Sequence, residues 1–186
     1  MKFKNFTFFI IDANFLNKNR LLEIEKLQNI CFSGIDQQEI EEDFYHKECA
    51  HALAYHEDQL IAWAGIHQEH TVFKNKKIHL GGFGICVHPK WQKLGVASEL
   101  SQRAMEYLKK QNCDLAFLSI DTSNEASRKL HKKTGFIKLS RDFSWINKSG
   151  QLKESDGGMI APLKSIKLYQ FVLDEKEIFH VGNGYW

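Results

Sequence analysis

The sequence predicts an α/β (α+β) fold: a mixed, mostly antiparallel central sheet flanked by helices. Two observations carry this. Short β-branched and aromatic runs alternate with amphipathic segments along the chain. Between residues 78 and 120, a strand-like run, an amphipathic segment and a continuous apolar run follow one another, as in a strand–helix–strand unit.

The elements are read in order. Phe6-Thr7-Phe8-Phe9-Ile10-Ile11 reads as a first strand, too short for a signal-peptide apolar region and closed by Asp12. Segment 20–33 places Leu21, Leu22, Ile24, Leu27, Ile30 and Cys31 on one helical face. The acidic stretch Asp36 to Asp43 reads as the start of a second, solvated helix. Ala52–Tyr55 and Gln59–Ile66 read as strands split by the polar turn His56-Glu57-Asp58, and the turn at 73–77 makes 59–73 and 78–87 an antiparallel pair. Pro89 ends the second of these. Val96, Leu100, Ala104, Tyr107 and Leu108 recur at helical spacing. Leu115–Ile120 reads as a fully buried strand, and Asn124–Thr134 as a helix ending at Gly135. Phe136–Trp145 is expected as strand, Asn147–Gly158 as a polar loop and Ile166–Leu173 as a last strand. That gives two helices before the glycine turn and two after it.

A chain of 186 residues fits one domain, here 1–186, and 43% hydrophobic with 26% charged residues excludes a disordered chain. A net charge of +2 with scattered basic residues argues against a nucleic-acid partner. The four cysteines form no CxxC pair, so reduced thiols and a cytoplasmic location are expected. No stretch approaches the length of a membrane span, so no membrane partner is expected. The closest pair among the nine histidines, His67 and His70, points to opposite faces of a strand, and no metal is expected.

The stretch that carries chemistry runs from Val87 to Ala97. A strand stops, a short loop turns, and a helix begins among the small residues Gly95 and Ala97. Backbone N–H groups in a first helical turn lack intrahelical partners, and with the helix dipole they suit a pyrophosphate. Gly95 lets a ligand approach the backbone. The spacing is neither GxxxxGK[ST] nor GxGxxG.

Gln92-x-x-Gly95-x-Ala97, after a strand ending Val-x-Pro, resembles the (Q/R)xxGx(G/A) acetyl-CoA motif of the GNAT superfamily of N-acetyltransferases. Asn124 to Phe136 resembles its second motif, Nxx(A/S)xx(L/F)YxxxGF, and the clear resemblance covers residues 78–140. It implies a GNAT-like acyl-CoA N-acyltransferase fold. It also implies acetyl transfer from acetyl-CoA to a primary amine of a small molecule, by direct attack in a ternary complex. Carried over residue by residue, Ile85, Cys86 and Val87 would meet the pantetheine arm and thioester. Gln92, Lys93, Leu94, Gly95, Val96 and Ala97 would hold the pyrophosphate, and Asn124, Ser127 and His131 would line the arm from the second helix. The basic cluster from Lys129 to Lys133 is either a contact for the 3′-phosphate or a solvated face. A homodimer is common in the family.

The chain departs from the family at two places. His131 stands where the family has the tyrosine that protonates the leaving thiolate; it acts as an imidazolium acid if its pKa lies near working pH, or only packs. Phe83 stands where a glutamate is common, and residues 78–87 contain no carboxylate. Base candidates are Asp36, Asp121, Asp156 and the terminal carboxylate of Trp186, with Asp121 also suited to capping the next segment. With Phe83, Gly84 and Ser119, the residues Asp36, Asp156 and Trp186 form the expected acceptor side. His51–His56, Ser155-Asp156-Gly157 and the C-terminal Gly-x-Trp give a weaker resemblance to the aminoglycoside 2′-N-acetyltransferase-like branch. The two departures motivate a second expectation, an acyl-CoA-binding sensor without turnover.

Overall fold

A computed structural model of the protein describes residues 5–33 and 47–185. The acidic stretch at 36–43 lies outside the described residues. Two strands, β1 (Phe6–Asp12) and β2 (Ala50–His56), pair antiparallel, and β2 pairs in turn with β3 (Gln59–Phe73). A two-residue turn at Lys74 and Asn75, with φ of 46° and 63°, folds β3 onto β4 (Lys76–Val87). Both central residues lie in the left-handed region that a type I′ hairpin requires. The pairing Phe73↔Lys76 then fixes the register up to Ala62↔Val87.

From β4 the chain crosses through helix α2 (Val96–Lys110) into β5 (Leu115–Ser119), which runs parallel to β4. A parallel return needs such a crossover. Helix α1 (Lys18–Cys31) lies earlier in the chain and is capped by Asn17, whose side chain accepts the Arg20 N–H at 3.0 Å. Helix α3 (Glu125–Lys133) follows β5, and β6 (Ile137–Lys138), β7 (Phe143–Ile146), β8 (Leu152–Ser155), β9 (Gly158–Pro162), α4 (Ile166–Asp174) and β10 (Phe179–Asn183) complete the order. The large sheet runs β1-β2-β3-β4-β5-β9-β6, and a smaller one runs β10-β7-β8.

The sheet's two faces bury different clusters. On one, Ala52, Ala64, Phe83, Ala116 and Leu118 pack under Val96, Leu100, Ala104 and Leu108 of α2. These four recur every fourth residue, so one stripe of the helix meets the sheet. On the other face, Leu53, Trp63 and Cys86 pack against Ile24 and Leu27 of α1. Further along that face, Leu80, Phe117 and Ile160 pack against Phe143, Phe179 and Val172.

Three expectations need correction. Ile166–Leu173 is the helix α4, not a strand. Its aromatic and β-branched residues favour a strand locally, but Ser165 caps the first turn by accepting the Leu168 N–H at 3.2 Å, and Val172 is buried on the inner face. Phe136–Trp145 is not one strand: β6 and β7 belong to different sheets, and Arg141 between them donates to the Val172 and Glu177 carbonyls. Asn147–Gly158 is not all loop, because Asn147 Oδ1 accepts the Gln151 N–H at 2.8 Å and closes a turn into the exposed edge strand β8. Beyond the glycine turn there are thus three helices, α2, α3 and α4. Among the described residues no helix is long and apolar enough to cross a membrane.

Leu108 rests directly on the β4 backbone, since a Cβ on Gly81 would lie 2.5 Å from Leu108 Cδ2. Leu108→Ala leaves a cavity at a fully buried position. The expected loss is about 2–5 kcal/mol of unfolding free energy, read from urea denaturation with an unchanged m-value.

Candidate active site

The site grows from a mismatch between two strand pairings. β3 follows β4 over its whole length, whereas β5 pairs with it only at Leu80↔Leu115 and Gly81↔Ala116. His79 shows which residues face β5: its carbonyl accepts the Asp114 N–H at 2.8 Å, and its N–H donates to Asp114 Oδ2 at 2.9 Å. Main-chain groups two residues apart in a strand turn the same way. Phe83, Ile85 and Val87 therefore direct their N–H and C=O toward the β5 side, past the last β4–β5 pair. The Val87 carbonyl accepts from Gln92 Nε2 at 3.2 Å, which ties the following loop to the end of β4. The groups of Phe83 and Ile85 face the opening, an arrangement that costs free energy unless water or a ligand satisfies them.

The loop after β4 is anchored at its start and free at its end. His88 Nδ1 accepts the Lys90 N–H at 3.2 Å, and the Trp91 ring packs on His56 with centroids 4.4 Å apart and edge-on to Phe6 at 5.7 Å. Lys93 and Gly95 both have positive φ, 62° and 87°. Gly95 is the N-cap of α2 and offers no side-chain bond, so the N–H groups of Val96, Ala97 and Ser98 carry the open end of the helix dipole. The first backbone bond into the helix is from the Glu99 N–H to the Gly95 carbonyl at 3.1 Å. The Val96 side chain is buried in the core, Leu94 packs partly against it, and Gln92, Lys93 and Gly95 are exposed.

Acetyl-CoA fits these residues. Its pyrophosphate needs donors at a helix start without a capping side chain, and its pantetheine amides need an open strand edge. Cys86 lies apart from both, facing the α1 side, where its thiol donates to Cys31; burial and that bond both push its pKa up.

On α3, Asn124 spends its side-chain oxygen on the Ser127 N–H at 3.1 Å, which caps the helix. His131 is 5% exposed, and its ring lies against Phe83 and Phe136 with centroids 5.7 and 5.5 Å away. Among the described residues no hydrogen-bond partner meets its Nδ1, and burial lowers its pKa from 6.5 to about 4. The ring is neutral at pH 7. Arg128, Lys129 and Lys132 line a surface depression with Glu125, to which Lys129 donates at 3.0 Å.

The other expected residues scatter. The Asp121 carboxylate accepts from both the N–H and the hydroxyl of Ser123 at 2.7 Å, which lowers its pKa and commits it to a turn. Asp156 is exposed, 3.5 Å from Lys138 Nζ. Ser119 ends β5 with its buried hydroxyl lacking a partner among the described residues, on the face that Phe117 shares with Leu80. Asp36 and Trp186 lie outside the described residues. Phe83 is spent in the core, while Gly84 turns to the opposite face and is exposed there. Sequence reasoning missed Gly65, the partner of Gly84 across the sheet. The hairpin turn at Lys74-Asn75 was the signal, since it fixes that register.

Residues 21–136 match the family model described as the acetyltransferase (GNAT) family. No curated protein sequence matches the chain. Among solved structures, the fold is similar to ribosomal-protein-S18-alanine N-acetyltransferase from Escherichia coli, at 15% identity and a TM-score of 0.57, covering 85% of this chain and 95% of that one. It is similar to yncA, a putative acetyltransferase from Salmonella typhimurium with its cofactor acetyl-CoA, at 16% identity and a TM-score of 0.57, covering 84% and 94%. An aminoglycoside acetyltransferase from an uncultured soil metagenomic sample is 12% identical with a TM-score of 0.54, covering 70% and 88%. At these identities the likeness is one of fold.

Because burial depresses the His131 pKa, the unfolded chain binds more protons than the folded one between pH 6.5 and about 4. Stability is fully present above this window and falls on acidification through it, by about 3 kcal/mol for this residue. A His131→Phe variant should lose less stability than the parent between pH 7 and pH 4, in urea denaturation at both pH values.

Proposed function

The chain belongs to the acetyltransferase (GNAT) family, and we propose that it transfers acetyl from acetyl-CoA directly to a primary amine of a small molecule. The observation that carries this reading is the open edge of β4 at Phe83 and Ile85, standing beside the uncapped start of α2. Acetyl-CoA supplies an acyl group activated as a thioester. The amides of Val96 to Ser98 hold the pyrophosphate, with Gly95 giving room for the approach and Gln92 fixing the loop. Ile85 and Val87 orient the arm through their main chain, and an N–H on this edge stabilises charge developing on the acyl oxygen. Asn124 and Ser127 flank the arm from α3. His131, neutral and set against Phe83, shapes the wall and excludes water rather than serving as an imidazolium acid. Holding amine and acyl group together supplies the larger part of the rate.

The competing reading is a sensor that binds acyl-CoA without turnover, favoured by the absence of any carboxylate on β4. Thiol release measured with a panel of amines, polyamines, aminoglycosides and peptides separates the two. Transfer gives amine-dependent release, and a sensor gives calorimetric binding with none. Gly95→Val places a branched side chain on a left-handed residue at the cradle. It should weaken acetyl-CoA binding at least tenfold, or about 1.4 kcal/mol, in a calorimetric titration.

A further inference from the structure

The opening beside β4 has a second side, away from α2. Among the described residues, a methyl group placed on Gly84 would meet no atom within 4 Å, although Gly84 lies in a central strand. One placed on its neighbour Gly65 would lie 3.0 Å from Glu48 Cγ and 2.5 Å from Trp63 Cζ2. The two glycines are direct cross-strand partners and face the same way, with Cα atoms about 5.5 Å apart. The Glu48 side chain therefore stands about one strand spacing from the open space over Gly84. The residues flanking Gly84 in the chain, Phe83 and Ile85, carry the open main-chain edge.

The surroundings hold Glu48 in place and leave its carboxylate available. The next residue, Cys49, donates its N–H to the Ile66 carbonyl at 2.8 Å and accepts from the Ala13 N–H at 2.9 Å. Among the described residues no cation forms a salt bridge with Glu48. His51 is close enough to sense its charge but is committed elsewhere, since its Nδ1 accepts the Trp63 indole N–H at 3.0 Å. The neutral His51 ring must then carry its hydrogen on Nε2, so it offers a donor and not a base.

Resting on the acetyltransferase reading, we propose that the space over Gly84 receives the acceptor amine and that Glu48 takes the proton from its ammonium. Glu48 accepts one proton, directly or through a water. The nitrogen bonds to the acyl carbon, the carbon–sulfur bond breaks with its electron pair going to sulfur, and the second nitrogen proton passes through solvent to that sulfur. Glu48 then returns its proton to water. A loop ahead of β2 thus supplies the carboxylate that β4 lacks.

The test compares the parent protein with Glu48→Gln, Glu48→Asp and Gly84→Val. Glu48→Gln should lower kcat about 100-fold near pH 7 and keep the calorimetric acetyl-CoA Kd within twofold, as expected for loss of a general base. Glu48→Asp should recover part of the rate. The deficit of Glu48→Gln should shrink as pH approaches the acceptor's own pKa, where free amine needs no base. The other titratable groups on this sheet face, His51, Tyr55, His67, Glu69 and Cys86, with Glu23 and Cys31 of α1 packed against it, are common to all variants. Gly84→Val should raise the KM for amine at least tenfold with the acetyl-CoA Kd again unchanged. Full kcat in Glu48→Gln across pH, or an equal loss of acetyl-CoA affinity, overturns the proposal and leaves the acetyltransferase reading standing. If the parent protein releases no thiol with any amine, both fall.

Discussion

A strand inside a sheet must satisfy main-chain groups on two edges, and β4 does so on only one edge once it passes Gly81. β3 supplies a partner along its entire length, held in register by the hairpin at Lys74 and Asn75. β5 parts from it after two pairs, while its other edge stays paired with antiparallel β9 over all five of its residues. The N–H and C=O groups left facing the opening are strong donors and acceptors on a rigid support. The α2 crossover places the other unsatisfied amides, those of its first turn, at the end of the same strand. Both features follow from the backbone's demand for partners.

The side chains around this opening divide by parity. Odd residues of β4 turn inward beneath α2, so Phe83 joins His131 and Phe136 in a packed aromatic wall. Even residues turn the other way, where Cys86 is absorbed by α1 and Gly84 meets open space. One strand thus presents a dry side and a vacant side within three residues. Burial in the dry side explains why His131 is held neutral, since no charged partner among the described residues offsets the cost of desolvating its charge.

Much of this was legible in the sequence. The helical stripe of α2, the turn after His56 and the helix from Asn124 to Thr134 are local patterns, with each residue's role fixed by near neighbours in the chain. The glycine turn and the Asn124–Phe136 segment pointed to the cofactor half for the same reason. The misread elements lie where distant contacts decide. α4 holds strand-favouring residues that become helical because Ser165 caps them and Val172 is buried, and β8 is a polar edge strand that exists only because β7 is its partner. Glu48 carried no local signal at all. Its position over Gly65 arises from two strand registers and a loop tied down at Cys49, none of which is a property of the residues around position 48.

Gly84 has a consequence for how such a protein diversifies. A side chain added there would project into vacant space and displace nothing in the core, and the residue does not rely on a left-handed backbone. In the acceptor site proposed above, larger residues at this position would change the shape offered to the amine while the packing beneath α2 stays as it is. Acceptor range can therefore drift across generations without first eroding the fold or the cofactor cradle, a separation of risk that lets one scaffold explore many partners.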